Sequence, residues 1–316
     1  MDKELYCGID LHSNNGVYHI VDGDGVTRWH RRLRNDPTQV VGALAPFAGR
    51  FETVAIESTY NWYWLADCLQ DAGHPVVLAN PSAMDPYEGM KNADDDSDAA
   101  FIAELARLHI LPLGWICPRE QRALRDVLRR RMLVVNSRTR QTLSLQSMLT
   151  RQTGRRLRRA AIESTDTEEL RAMLRHENLM LVAHEQLELI AAHDQTIKAL
   201  ETEALRQCKE RPQYAILITM PGVGKILAMT IMLEIGDISR FPNPGKLSSY
   251  ARAVKAIRTS NGKKKGCNNS RNGNRYLGWA FMEAVNHAVR VCEPARRWYQ
   301  RKTSKQLPVV ARKALA

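Results

Sequence analysis

In the first third of the chain, apolar residues gather in short runs separated by turn-forming residues. Residues 5–9, Leu5-Tyr6-Cys7-Gly8-Ile9, predict a strand. Residues 17–21 and 26–32 predict two more, joined by Asp22-Gly23-Asp24-Gly25, a hairpin signal. Further strands are expected at 53–57 and 75–78, with a helix between them from Trp62 to Asp71, stopped by Gly73. Residues 97–108 carry another helical pattern. A three-strand meander followed by alternating helices and strands predicts an α/β layer domain ending near residue 112.

The pattern then changes. No proline occurs between Pro118 and Pro212, and helix-favouring residues dominate. One long helix is expected from Arg119 to about Thr150, breaking near Gly154, and a second over roughly 167–209. In the second, Leu179, Val182, Leu187, Ile190, Ile197 and Leu200 recur at three- and four-residue steps, which fits a packed helix pair or a dimerising coiled coil. The last third opens with the apolar run 215–219 and Met220-Pro221-Gly222-Val223-Gly224-Lys225. Helices over 226–235 and from Tyr276 to about Cys292 follow, with the polar loop 259–266 between them. Domains are therefore expected at 1–115, 116–212 and 213–316.

Charge narrows the function. The 316 residues carry a net charge of +12, which points to a polyanionic partner. Nucleic acid is favoured over membrane, because no apolar run is long enough to span a bilayer. The opening Met1-Asp2-Lys3-Glu4 lacks a secretory pattern, and six scattered cysteines without a C-x-x-C pair argue against a zinc site or disulfide framework, so a reduced cytoplasmic protein is expected. From Arg119 to Arg159 there are 13 arginines and two acids. Arg122, Arg125, Arg129, Arg130 and Arg138 are candidates to track phosphates, against the plainer reading of a solubilising helix face.

Four acids carry the candidate chemistry. Asp10 and Glu57 end two apolar runs, and Asp95 and Asp98 stand three apart at a helix start. Such carboxylates can converge on a hard divalent cation, Mg²⁺ with Mn²⁺ as the alternative, and on a basic chain the substrate for that ion is a phosphodiester. The plainer reading makes Asp95 and Asp98 helix N-terminal acids and Glu57 a solvated strand end. The Pro-Gly-Val-Gly turn resembles a helix–hairpin–helix element, in which Gly222, Gly224 and Lys225 would meet a DNA phosphate; otherwise it is a tight turn between core helices. Ser260 lies among Lys263, Lys264 and Lys265, where developing phosphate charge would be stabilised, with Thr259 and Ser270 as competing hydroxyls.

At these residues the chain resembles transposases of the insertion-sequence one-ten family, the bridge-RNA-guided DEDD recombinases. The resemblance rests on Gly8-Ile9-Asp10-Leu11-His12-Ser13-Asn14-Asn15, Glu57-Ser58-Thr59-Tyr60-Asn61-Trp62-Tyr63-Trp64, Leu78-Ala79-Asn80-Pro81-Ser82 and Asp95-Asp96-Ser97-Asp98-Ala99. Later it rests on Pro221-Gly222-Val223-Gly224, residues 260–266 and Asn272-Gly273-Asn274-Arg275-Tyr276-Leu277. It implies an RNase H-like (RuvC-like) N-terminal domain with Asp10, Glu57, Asp95 and Asp98 as its acids, a coiled-coil middle, and a mainly α C-terminal domain with a catalytic serine that maps onto Ser260. It further implies Mg²⁺, donor and target duplex DNA, a guide RNA, a homodimer or tetramer, and a bacterial, nucleoid-associated setting. Arg275 joins the nucleic-acid-binding candidates. Many relatives have glycine after the serine; this chain has Asn261 and then Gly262. Relatives also usually continue past the segment 308–316 with another apolar helix. The rival readings are a metal-dependent nuclease or junction resolvase using water, and a non-catalytic nucleic-acid-binding scaffold. An actin-like kinase is disfavoured, because His12-Ser13-Asn14-Asn15 is no glycine-rich phosphate hairpin.

Overall fold

The computed structural model describes residues 4–84, 95–165, 167–254, 257–261, 263–267 and 272–316; within these the side chains of Asp95, Asp96, Arg159, Glu163, Ser164, Thr167, Ile257, Arg258, Thr259, Ser260, Lys264, Lys265 and Cys267 lie outside that description. The chain forms two compact units, Met1–Arg119 and Glu120–Ala316.

The first unit is built on a six-stranded mixed sheet of order β3-β2-β1-β4-β5-β6. Strands β1 (Leu5–Leu11), β2 (Asn15–Asp22) and β3 (Thr27–Arg34) form the expected antiparallel meander. Strands β4 (Phe51–Glu57) and β5 (Val76–Ala79) extend it in parallel, and β6 (Leu113–Gly114) closes it antiparallel. Because side chains alternate along a strand, β1 feeds two cores. Cys7, Ile9 and Leu11 pack with Tyr18, Ile20 and Ile56 beneath helices α1 (Pro37–Leu44) and α2 (Tyr63–Asp71). Tyr6 packs on the other face with Val21, Ala55 and Ala79, beneath Phe101, Ile102 and Leu105. Those three belong to α4 (Asp95–Arg107), which follows the short α3 (Pro81–Met84).

Helix α1 was not anticipated, although its signal is in the sequence: Asp36 caps it by accepting from the Gln39 N–H, and Pro37 occupies the first turn. The Asp22–Gly25 turn is as expected. The buried Asp22 carboxylate accepts from the Asp24 and Val26 amides and from Arg28 Nε at 2.6 Å, and Gly25 takes φ +81°.

The second unit is helical. Helix α5 (Arg119–Thr153) ends at Gly154, in the left-handed region with φ +72°. After α6 (Arg159–Ser164), the single helix expected over 167–209 is instead two, α7 (Thr167–Leu174) and α8 (Glu177–Cys208). Arg175 adopts φ +51° at the break, and His176 caps α8 by accepting from the Asn178 N–H at 3.2 Å. The break folds Leu170 and Leu174 back onto Leu145, Met148, Leu149 and Ile162, which form a small core of their own with Ala183 and Ile190.

Helices α5 and α8 run antiparallel. Arg131 bonds Glu201, Arg138 bonds Asp194, and Gln186 donates to Ser144, a register that moves down one helix as it climbs the other. The pair is thus a helical hairpin within the chain. Helices α9 (Pro212–Ile218), α10 (Lys225–Ile235), α11 (Pro244–Tyr250) and α12 (Arg275–Val291) follow, and then α13 (Glu293–Thr303) and α14 (Pro308–Leu315). Leu227, Ile231, Leu277 and Ala280 centre their core, which also takes in Leu124 and Leu128 of α5. The stretch read as a polar loop at 259–266 is a β-hairpin, β7 (Ile257–Ser260) and β8 (Lys263–Cys267). No helix among the described residues is long and apolar enough to cross a membrane.

Candidate functional site

Asp10 and Glu57 belong to one row of the sheet. Gly8 pairs with Ala55 across the parallel β1–β4 ladder, and Asp10 and Glu57 each stand two residues further on, so both share the face of Tyr6, Gly8 and Ala55. That face is the one α4 covers. The direction of α4 is fixed by two marks. Near its C-terminal end, Arg107 donates to the Gly23 carbonyl at the β2–β3 turn, beside the start of β1. Its middle lies on Gly8, where an added Cβ would come within 2.1 Å of the Ala99 carbonyl oxygen and 2.4 Å of the Ala103 nitrogen. Its first turn, with Asp95 and Asp98, is therefore directed toward the end of β1 that carries Asp10. Gly8 is needed for this: with any larger residue the helix could not lie on the strand.

Asp10 is 5% exposed, and its Oδ2 lies 3.4 Å from His12 Nε2. Asn61 Nδ2 donates to the His12 carbonyl at 2.9 Å, and Asn35 Nδ2 donates to the carbonyls of His12 and Ser13, so the loop after β1 is held from two sides. Sequence reasoning gave His12 no role; no periodicity or spacing singles it out. Asp10 and Glu57 offer carboxylate oxygens at this end of the sheet, donors that suit a hard divalent cation, with His12 Nε2 beside Asp10. Among the described residues, which include Asp10, Glu57 and Asp98 but not the Asp95 side chain, no group of three or more His, Cys, Asp or Glu side chains is gathered closely enough to hold a metal.

Ser260 is the last residue of β7 and pairs with Lys263. Asn261 follows with φ +49°, a conformation Asn tolerates in tight hairpin turns, and the Asn261-Gly262 dipeptide is a hairpin signal that the sequence reading overlooked. Thr259 precedes Ser260 on the strand, paired with Lys264. Ser270 lies outside the described residues. Lys263 is exposed.

The five arginines of α5 do not form one solvent-facing row. Arg122 and Arg125 are buried, 4% and 7% exposed. Arg129 makes a bidentate pair with Glu234, Nε and Nη2 each 2.7 Å from a carboxylate oxygen, and lies over the Tyr276 ring. Arg138 bonds Asp194, and Arg130 is exposed. Four of these five arginines are thus packed or paired, and the acids that pair Arg129 and Arg138 lie on α10 and α8 rather than nearby in sequence, whereas Arg140, Arg151, Arg155, Arg156 and Arg158 of the same run are exposed. Glu234 is 2% exposed and also accepts from Asn274 Nδ2 at 2.6 Å. Asn274 in turn caps α12 through Tyr276 and Leu277. Arg275, the next residue, is exposed and lies against Tyr276.

In the Pro-Gly-Val-Gly turn the two glycines differ. Gly222 has φ +85°, and an added Cβ would come within 2.2 Å of the Ala284 carbonyl on α12, so it serves close packing. Gly224 and Lys225 stand exposed at the start of α10, with open space around Gly224.

Two family models match the chain in order. Residues 7–154 match the DEDD model named for IS110 and described as Transposase, and residues 214–300 match the model described as Transposase IS116/IS110/IS902 family. The chain belongs to the IS110 family of transposases. The transposase for insertion sequence element IS1111A of Coxiella burnetii is 26% identical over 290 residues, 90% of this chain and 77% of that protein. The insertion element IS110 43.6 kDa protein of Streptomyces coelicolor is 29% identical over 117 residues, 37% of this chain and 29% of its own length. The insertion element IS116 44.8 kDa protein of Streptomyces clavuligerus is 27% identical over 126 residues, 40% of this chain. The match to each Streptomyces protein thus spans less than a third of that protein, 29% and 31%. The first family model takes in Asp10, Glu57, Asp95 and Asp98, and the second takes in Ser260 and the Asn274 cap.

Proposed function

We propose that this chain is a DNA transposase that cleaves and rejoins strands through a phosphoserine–DNA linkage. What carries the reading is the shared row of Asp10 and Glu57 beneath the start of α4, in a chain of this family. The strand order, with a meander feeding a parallel centre, supports an RNase H-like (RuvC-like) assignment for this unit. A divalent cation, Mg²⁺ or Mn²⁺, held by Asp10, Glu57, Asp95 and Asp98 would polarise the scissile phosphate and offset its developing charge. His12 Nε2, 3.4 Å from Asp10 Oδ2, would hold that carboxylate in place.

The Ser260 oxygen attacks phosphorus and gives up its proton. The bond from phosphorus to the 3′-oxygen breaks, and that oxygen leaves with the electron pair and takes a proton. A different 3′-hydroxyl then displaces the serine, so rejoining needs no outside energy source. Lys263, Lys264 and Lys265, which follow the serine in sequence, would offer positive charge to the developing phosphate charge. Gly224, Lys225, Arg130 and Arg275 would hold backbone phosphates of donor and target DNA. A guide RNA would supply sequence choice by base pairing, and the working form would be a homodimer or tetramer.

The test is covalent trapping. Labelled duplex DNA incubated with the chain and Mg²⁺, then denatured, is expected to yield a protein–DNA adduct that Ser260→Ala and Asp10→Asn both abolish. Cleaved DNA with free ends and no adduct would favour a water-using nuclease. Binding that survives Asp10→Asn, with no cleavage by the wild type, would favour a non-catalytic scaffold. Sequencing of RNA that co-purifies with the chain tests the guide.

A further inference from the structure

Strand β3 is an edge strand with an unusual composition, Thr27-Arg28-Trp29-His30-Arg31-Arg32-Leu33-Arg34. Its two faces are set by the pairing register. Trp29 and Leu33 join the core under α1 and α2. His30, Arg32 and Arg34 take the opposite face, since His30 pairs with His19, Arg32 with Val17 and Arg34 with Asn15. His19 in turn pairs with Gly8 and Val17 with Asp10. Glu57, Asp10, Val17 and Arg32 thus form one continuous row across four strands on the α4 side of the sheet. Two inter-strand steps separate Arg32 from Asp10, about 10 Å.

Helix α4 packs over β1, β2 and β4, while His30, Arg32 and Arg34 on β3 remain exposed. Arg28, by contrast, is engaged by the buried Asp22. Arg32 Nη1 donates to Asn15 Oδ1 at 3.0 Å, which holds one edge of its guanidinium on the sheet. Same-face residues on a strand repeat at about 6.7 Å, comparable with the spacing of successive phosphates along one nucleic-acid strand.

We propose that Arg32 and Arg34 form a phosphate-binding track along β3 that holds the DNA strand whose scissile phosphate lies at Asp10 and Glu57. The alternative role for such charge is to protect an exposed sheet edge from pairing with another chain. Arg31 separates the two. It stands on the same edge with the same charge, but pairs with Tyr18 and so belongs to the opposite face. The track deepens the transposase reading and rests on it for the identity of the strand, yet it is read by binding alone, so loss of cleavage and loss of the track are separate results.

The experiment measures affinity of the nucleic-acid-free full chain for a labelled DNA oligonucleotide without divalent cation, across a range of salt concentrations. Each phosphate contact contributes about 0.7–0.9 to the slope of log affinity against log salt. Arg32→Gln and Arg34→Gln, which keep a side-chain donor, are each expected to lower the slope by that amount. Arg32→Lys and Arg34→Lys should restore it, and Arg31→Gln should leave it unchanged. Circular dichroism of each variant checks folding, and the Lys variants keep the test valid if a Gln variant fails that check. Wild-type slopes in the Gln variants, or an equal loss in Arg31→Gln, would overturn the track. A loss seen with an RNA of the same sequence but not with DNA would overturn it too.

Discussion

Gly8 and His74 show how much a single position governs here. At Gly8 the obstacle to a side chain is helix backbone, the Ala99 carbonyl and the Ala103 nitrogen, which cannot swing aside as a flexible side chain would. Gly8→Ala is expected to destabilise by about 1–3 kcal/mol in denaturant titration, the ordinary range for overpacking. It should also reduce cleavage more than Gly23→Ala, where nothing meets the added methyl. His74 is buried edge-on to Phe51, with ring centroids 5.4 Å apart, and burial lowers its pKa. A histidine whose folded pKa is depressed resists protonation in the native state. Its contribution is therefore full above the ordinary value of about 6.5 and is lost as pH falls from there toward the folded value. The melting temperature of the wild type should drop more steeply than that of His74→Phe as pH is lowered through that window. Parallel curves for the two proteins would contradict this.

Elements were legible where the sequence states its own constraints. Short apolar runs bounded by turn residues marked β1 to β5, and they put Asp10 and Glu57 at the ends of two strands, which the sheet then sets side by side. The break at Arg175 was not legible: it has no glycine or proline, and its cause is a core assembled from α5, α6 and α7. The partners of the α5 arginines were hidden for the same reason, since Glu234 lies 105 residues from Arg129 in sequence. This separates two roles for Arg129. As part of a pair whose carboxylate is 2% exposed, its removal leaves Glu234 with an uncompensated buried charge. Arg129→Ala is therefore expected to cost about 3–5 kcal/mol, with much of it regained in the Arg129→Met, Glu234→Leu double variant. DNA affinity of the folded fraction should change little. A large affinity loss without a stability loss would return Arg129 to the phosphate-binding set.

For the whole molecule, the pairs Arg129–Glu234, Arg131–Glu201 and Arg138–Asp194 leave the net charge of +12 unchanged but withdraw those arginines from contact with a partner. Among the candidate contacts, exposed positive charge remains at Arg130, Lys225, Lys263 and Arg275, and along β3. Each unit has its own apolar core, so unfolding should show two steps. Gly8→Ala is expected to shift one step and Arg129→Ala the other in calorimetry. A single transition moved equally by both would mean that the two cores melt together.

The α5–α8 hairpin has a further consequence, for which changes of length the chain can tolerate. Arg131, Arg138 and Ser144 meet Glu201, Asp194 and Gln186 in descending order. Deleting one residue between Arg131 and Arg138 would turn everything beyond it by about 100° about the helix axis and misalign the later rungs together. Extra residues in the stretch between α6 and α7 would leave every rung in place. Among natural variants, insertions and deletions should therefore collect at the hairpin's far end and be absent from its arms.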